Sequence, residues 1–282
     1  MILRLCAESV INVMKVTLHP DFEALKNYCS ILEERLLRLI VDKEELVSTV
    51  IPNLEAEYQI RIGSLMFHKF CLQTEINKAK RTIEIIQSSL NRGESADRQS
   101  IEKTLEVEFS DWEDRLKEHL AMIEKAREIE KSRLSVEESE KITRLYRQLV
   151  RKLHPDINEE TYLQNKSLWD QVQSLYQRSD LKGLESVWKI AQGLEELDSE
   201  APSTMELMRE REGRLKESIK EVRESIAEIC SVHPYTLRDR LVDSEWVLVQ
   251  RRILNKEIAD LSVQKSKFKI MADQMTREHC HE

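Results

Sequence analysis

The chain has 282 residues, 34% of them charged, with only five glycines and five prolines, a composition that favours long uninterrupted helices and leaves little for sheets or glycine-rich loops. The expected fold class is all-α. A net charge of -8 argues against general binding to nucleic acid or to an anionic membrane surface, both of which need concentrated positive charge.

The opening MILRLCAESVINVM is apolar, but Arg4, Glu8 and Asn12 interrupt it and no small-residue cleavage pattern follows. Residues 1–16 are therefore read as an extension, too short and broken to span a bilayer, with Met14-Lys15 an equally good start. At His19-Pro20-Asp21 no basic helix precedes, and Asp21 is expected to cap the helix that begins with Phe22.

From Leu25 to Val50 the positions Leu25, Cys29, Leu32, Leu36, Leu39, Lys43, Leu46 and Val50 alternate four and three apart, a heptad seam. Pro52 interrupts it, and a second seam runs from Tyr58 through Leu72 and Ile86 to Leu90. Residues 17–92 are accordingly expected to form an antiparallel hairpin turning at Pro52. Lys43 and Lys69 in seam positions point to loose packing. NRGESADRQS is the next linker. A third helix then carries Leu105, Phe109, Trp112, Leu116, Leu120 and Ile123 on one face, and its end near Leu134 is a candidate first helix for the region that follows.

Ser135 and Glu138 have capping-box spacing. Beyond them Ile142, Leu145, Tyr146, Leu149, Val150 and Leu153 form one apolar helical stripe. Lys141, Arg144, Arg147 and Arg151 follow another track with Lys152 beside them, and no acid interrupts Lys141 to Leu153. Pro155 disfavours the α region at His154 and lacks an amide hydrogen, so the helix must stop there and hold His154 and Asp156 on an exposed turn. A new helix is expected to begin between Asn158 and Thr161. Downstream, WDQVQSLY spaces Trp169, Val172, Leu175 and Tyr176 for one helical face.

From Ser135 to about Tyr176 the chain resembles the second helix, HPD loop and third helix of the J-domain, the co-chaperone module that stimulates the ATPase of DnaK-type chaperones. The resemblance implies a helical hairpin within residues 100–192. It further implies that His154, Pro155 and Asp156 engage the interdomain region of a DnaK-type partner while Arg144, Arg147, Arg151 and Lys152 dock on its acidic surface in a transient complex. The chain departs from the family in lacking an aspartate-tyrosine-tyrosine first helix, and SDLKGLESVWKIAQ stands where a basic fourth helix is usual. Repeated C-x-x-C units and a Gly/Phe-rich linker are absent too, so the resemblance is to a specialised type. Taken alone, the basic helix invites a nucleic-acid reading, but it is short and carries no base-reading pattern.

EELDSEAPST is a polar linker, and Ser203 with Glu206 repeats the capping-box spacing. Leu215, Ile219, Val222, Ile226 and Ile229 form the next seam, His233-Pro234 turns the chain, and Val247, Leu254, Leu261, Phe268 and Met275 recur at sevens. Residues 203–277 are expected to make a second antiparallel hairpin. Packing within one chain is favoured over homo-oligomeric association, and the arms are candidates to hold a client or scaffold protein.

Cys6, Cys29, Cys71, Cys230 and Cys280 are odd in number and unpaired in pattern, which fits a reducing cytoplasm. Neither a phosphate-binding nor a nucleophile motif occurs, and His279-Cys280-His281 is a terminal tripeptide without further ligands. No enzyme, cofactor or metal is expected. The alternative to a co-chaperone is a coiled-coil scaffold or adaptor with a degenerate J-like domain.

Overall fold

The computed structural model describes residues 20–194 and 204–281. Nearly all of them are helical. Helix α1 (Pro20–Glu45), α2 (Ile51–Tyr58) and α3 (Ser64–Asn91) follow one another without a break, separated only by π-helical turns at Leu46–Val50 and Gln59–Gly63. Every junction residue, including Val50, Ile51 and Tyr58, keeps right-handed helical backbone angles. Residues 20–91 thus form one rod. Pro20 takes the first position of α1 and Asp21 lies inside its first turn, so Asp21 is not the cap expected for it. His19 lies outside the described residues.

The rod overturns the hairpin expected at Pro52. A proline inside a helix lacks an amide donor and crowds the carbonyl four residues back. Here the turn ahead of Pro52 is widened to the i→i+5 pattern, with the Ile51 amide donating to the Leu46 carbonyl, which relieves that crowding without reversing the chain.

At the end of α3 the chain reverses through Gly93, whose φ of 74° is the left-handed conformation common just past a helix end. Strand β1 (Ala96–Asp97) follows, and the Asp97 side chain accepts from the Gln99 and Ser100 amides to cap α4 (Arg98–Lys131). Helix α4 runs back along α3 and α2. Arg81 is bonded to Glu108 and Lys78 to Glu113, while the Phe70 ring lies 6.3 Å from that of His119, so partner numbers rise on one helix as they fall on the other.

Helix α5 (Val136–Leu153) then continues down the α1 half of the rod. It is followed by α6 (Glu159–Gln164), α7 (Lys166–Gln177) and α8 (Leu181–Gln192). The helices lying against α5 are α1, α7 and α8, and the one that takes the place the sequence suggested for the end of α4 is α1.

Helix α9 (Met205–Ser231) packs along α1, and α11 (Ser244–His279) packs along α3. A 3-10 turn at Tyr235–Leu237 and the short α10 (Arg238–Val242) separate them. Contact numbers rise in step on the rod and on the late segment: Arg211 to Glu33, His233 to Glu55, Lys69 to Glu257 and Lys265 to Glu75. Strand β2 (Cys280–His281) finishes the series by pairing in parallel with β1. Both late helices therefore run in the direction of the rod, and the second expected hairpin, at His233-Pro234, is not formed. A seam fixes which face of a helix is buried but not against which helix, and the rod offers both seams a longer partner than they offer each other. The Thr204 hydroxyl, accepting from the Leu207 amide, caps α9. Ser203, the residue expected there, lies outside the described residues.

One apolar core unites α1, α5, α7, α8 and the start of α9, with Leu36, Leu149, Val150, Leu153, Val172 and Leu184 wholly enclosed. The segments 17–92, 100–192 and 203–277 do not have separate interiors. Among the described residues no helix is long and apolar enough to cross a membrane.

Candidate functional site

The basic helix is built from its first residue. The Ser135 hydroxyl accepts from the Glu138 amide at 3.2 Å, and the Glu138 carboxylate accepts from the Ser135 amide at 3.1 Å, a closed capping box. Those bonds hold the Glu138 carboxyl below its ordinary range. The stripe from Ile142 to Leu153 is buried against α1, α7 and α8, which turns the cationic track outward.

Lys141, Arg144 and Arg147 are exposed and make no ion pair among the described residues. Arg151 and Lys152 are engaged within the fold. The Arg151 guanidinium meets Glu34 of α1 at 2.7 Å, and the Lys152 ammonium donates to the Ala191 carbonyl at 3.4 Å. The sequence joined all five side chains in one face; the structure leaves Lys141, Arg144 and Arg147 outward beside the end of α1 and ties Arg151 to α1 and Lys152 to α8.

Helix α5 ends at Leu153 because His154 adopts extended angles, φ -74° and ψ 133°, as a residue before proline should. The loop is then drawn tight. The His154 carbonyl accepts from the amides of Ile157 at 3.1 Å and Asn158 at 2.8 Å. His154 Nδ1 accepts from the Asp156 amide at 3.1 Å. Asn158 caps α6 by accepting from the Thr161 amide, and α6 begins at Glu159, within the expected window.

Helix α7 positions the histidine. Trp169 faces it edge-on, ring centroids 5.2 Å apart. Tyr176 stacks on Tyr146 at 3.9 Å, so α5 and α7 lie side by side in opposite directions. His154 is in consequence half-buried, a correction to the freely exposed ring expected from the sequence, whereas Asp156 is exposed. Burial lowers the His154 pKa, with Asp156 opposing and Lys43 of α1 adding to the effect. The bond received at Nδ1 requires that nitrogen to be unprotonated. Tyr146 is pushed upward in pKa, chiefly by burial.

An open cleft of about 600 Å³ separates this loop from α9, lined among others by Pro155, Asp156, Tyr162, Arg211, Arg214 and Glu221. Sequence reasoning missed α9 as a neighbour of the loop, and Glu34 and Lys43 as neighbours of Arg151 and His154. Nothing in local spacing could have joined residues so far apart in the chain.

The described residues contain no group of three or more potential metal ligands. The terminal Cys280 instead lies in the strand pairing with Ala96, its thiol pKa raised chiefly by burial.

No protein-family model, curated protein or solved structure matches the chain.

Proposed function

We propose that the chain is a J-domain-like co-chaperone that stimulates the ATPase of a DnaK-type chaperone through His154, Pro155 and Asp156. The observation that carries this reading is a rigidly closed His-Pro-Asp loop with its aspartate exposed, set at the end of a helix whose Arg144 and Arg147 face outward. Such a surface suits a transient partner with an acidic patch, since complementary charge orients and speeds association more than it tightens it. Arg151 and Lys152 belong to the same proposed contact, on the condition that Glu34 yields Arg151 to the partner. The rod and the late helices would carry a client or set the module's location.

A second reading, a scaffold whose J-like part is a fold relic, is favoured by one observation. Arg151, although exposed, is paired with Glu34 and Lys152 donates to the Ala191 carbonyl, and the core beneath them is shared with α1 and α9.

A single-turnover ATPase assay with the DnaK homologue of the same host separates the two. Stimulation that falls with salt and disappears in Asp156→Asn, with helicity and melting temperature unchanged because Asp156 is exposed, supports the co-chaperone. Absence of stimulation by the wild type at every salt concentration would leave the scaffold.

A further inference from the structure

Helix α11 has two apolar faces. The inner one, with Val247, Ile258 and Ala272 buried, lies on α3. The outer one carries Val249, Ile253, Val263 and Ile270, which are 41%, 48%, 72% and 65% exposed. The packing partners of α11 among the described residues are α3, the second π turn, α10 and β2, and none of them explains the outer stripe.

The stripe is a seam in its own right. Trp246, Val249, Ile253, Lys256, Asp260, Val263, Lys267 and Ile270 alternate three and four apart over the first two thirds of the helix, the repeat of a two-stranded coiled coil. Its charged members decide what can lie on it.

If a second copy lay parallel and in register, Lys256, Asp260 and Lys267 would each face their own like charge. In one antiparallel register Lys256 instead faces Asp260 of the second copy, and Ile253 faces Val263. Trp246 then meets Ile270, and Val249 meets the aliphatic stem of Lys267. A two-fold axis near Ile258 generates each pairing twice. Ala259 flanks that axis, where a small side chain permits close approach. Sliding by one heptad in one direction sets Lys256 on Lys267 and Asp260 on Val263. Sliding the other way sets Asp260 on Val249 and Lys256 on Ile253. Only one register pairs the charges. Glu257, which would approach its own copy beside the seam, is held by Lys69 at 2.8 Å.

We propose that the outer face of α11 is a homodimer interface, occupied by a second copy of this chain in that antiparallel register. The apolar pairs supply the attraction, and the two Lys256–Asp260 pairs select direction and register, as polar groups in coiled-coil seams do. The inference is independent of the co-chaperone reading.

Sedimentation velocity over a concentration series tests it. The wild type is expected to dimerise. Lys256→Asp and Asp260→Lys each place like charges together and are expected to weaken dimerisation at least about tenfold. The double variant with both changes regains it, as does an equimolar mixture of the two single variants. All these positions are exposed, so circular dichroism should be the same throughout. A wild type that stays monomeric, single reversals without effect, or a double variant that fails to recover would each overturn the proposal.

Discussion

Around α1 the molecule is held by apolar burial, and around α3 by a thinner interior supplemented with ion pairs. In the α1 half, Leu36, Leu149, Leu153, Val172 and Leu184 are all 0% exposed within one cluster that several helices share. In the α3 half, three long helices lie side by side with Leu72, Ile76, Ile86 and Ile101 as scattered buried contacts, and Lys69–Glu257, Lys78–Glu113 and Arg81–Glu108 bridge between them. Such partly exposed pairs contribute little each and weaken with salt. The difference teaches where rigidity is needed. The loop carrying His154 sits on the thick half, whereas the half that displays α11 is free to be a surface.

The largest effect that would break this comparison comes from the thick half. Leu149→Ala removes a wholly buried side chain from the cluster and is expected to destabilise the whole chain by about 3 kcal/mol in denaturant unfolding. It should also loosen the loop that follows α5. If the cost were well under about 1 kcal/mol, the shared core would not be the stabilising element.

A smaller, more local effect is expected in the other half. Ile76→Ala, at a position 3% exposed, should cost about 2 kcal/mol, felt mainly as faster amide hydrogen exchange in α3 and α11 with α5 and α7 unaffected. Uniformly faster exchange along the chain would show that the two halves unfold as one unit.

Two prolines explain how much of this fold was legible. Pro155 ends its helix, as expected, because His154 before it is extended. Pro52 sits in a rod, against expectation, because Ile51 before it keeps helical angles and a π turn widens the backbone ahead. A widened turn has no sequence signature comparable to a cap, so the same residue type read alike gave opposite outcomes. Capping at Ser135, the buried stripe of α5 and the facing set Trp169, Val172 and Tyr176 were legible because each depends on neighbours within a turn or two. The pairing of α1 with α9, of α3 with α11, and of Arg151 with Glu34 was not, since periodic seams are interchangeable until a third dimension selects among them. The proposed site was legible in its residues and illegible in its surroundings.

The smallest expected effect is a pH dependence that tests those surroundings. His154 is half-buried against Trp169, and burial is the main cause of its lowered pKa, reinforced by Lys43 and opposed by Asp156. In the unfolded chain a histidine titrates near pH 6.5. The unfolded state therefore binds a proton at a higher pH than the folded state does. Above about pH 6.5 the ring is neutral in both states and His154 imposes no penalty. As the pH falls below that value and approaches the lowered folded pKa, the unfolded state is favoured and stability declines. Protonation at Nδ1 would also break the bond from the Asp156 amide, so the turn should open over the same range. A melting-temperature series from pH 7.5 to 5 should show a step in the wild type that His154→Gln lacks, after allowance for the carboxylates common to both. Nuclear magnetic resonance titration of the ring should give a midpoint below the unfolded value. A midpoint at or above it would mean that the ring is solvated and that Trp169 does not cover it.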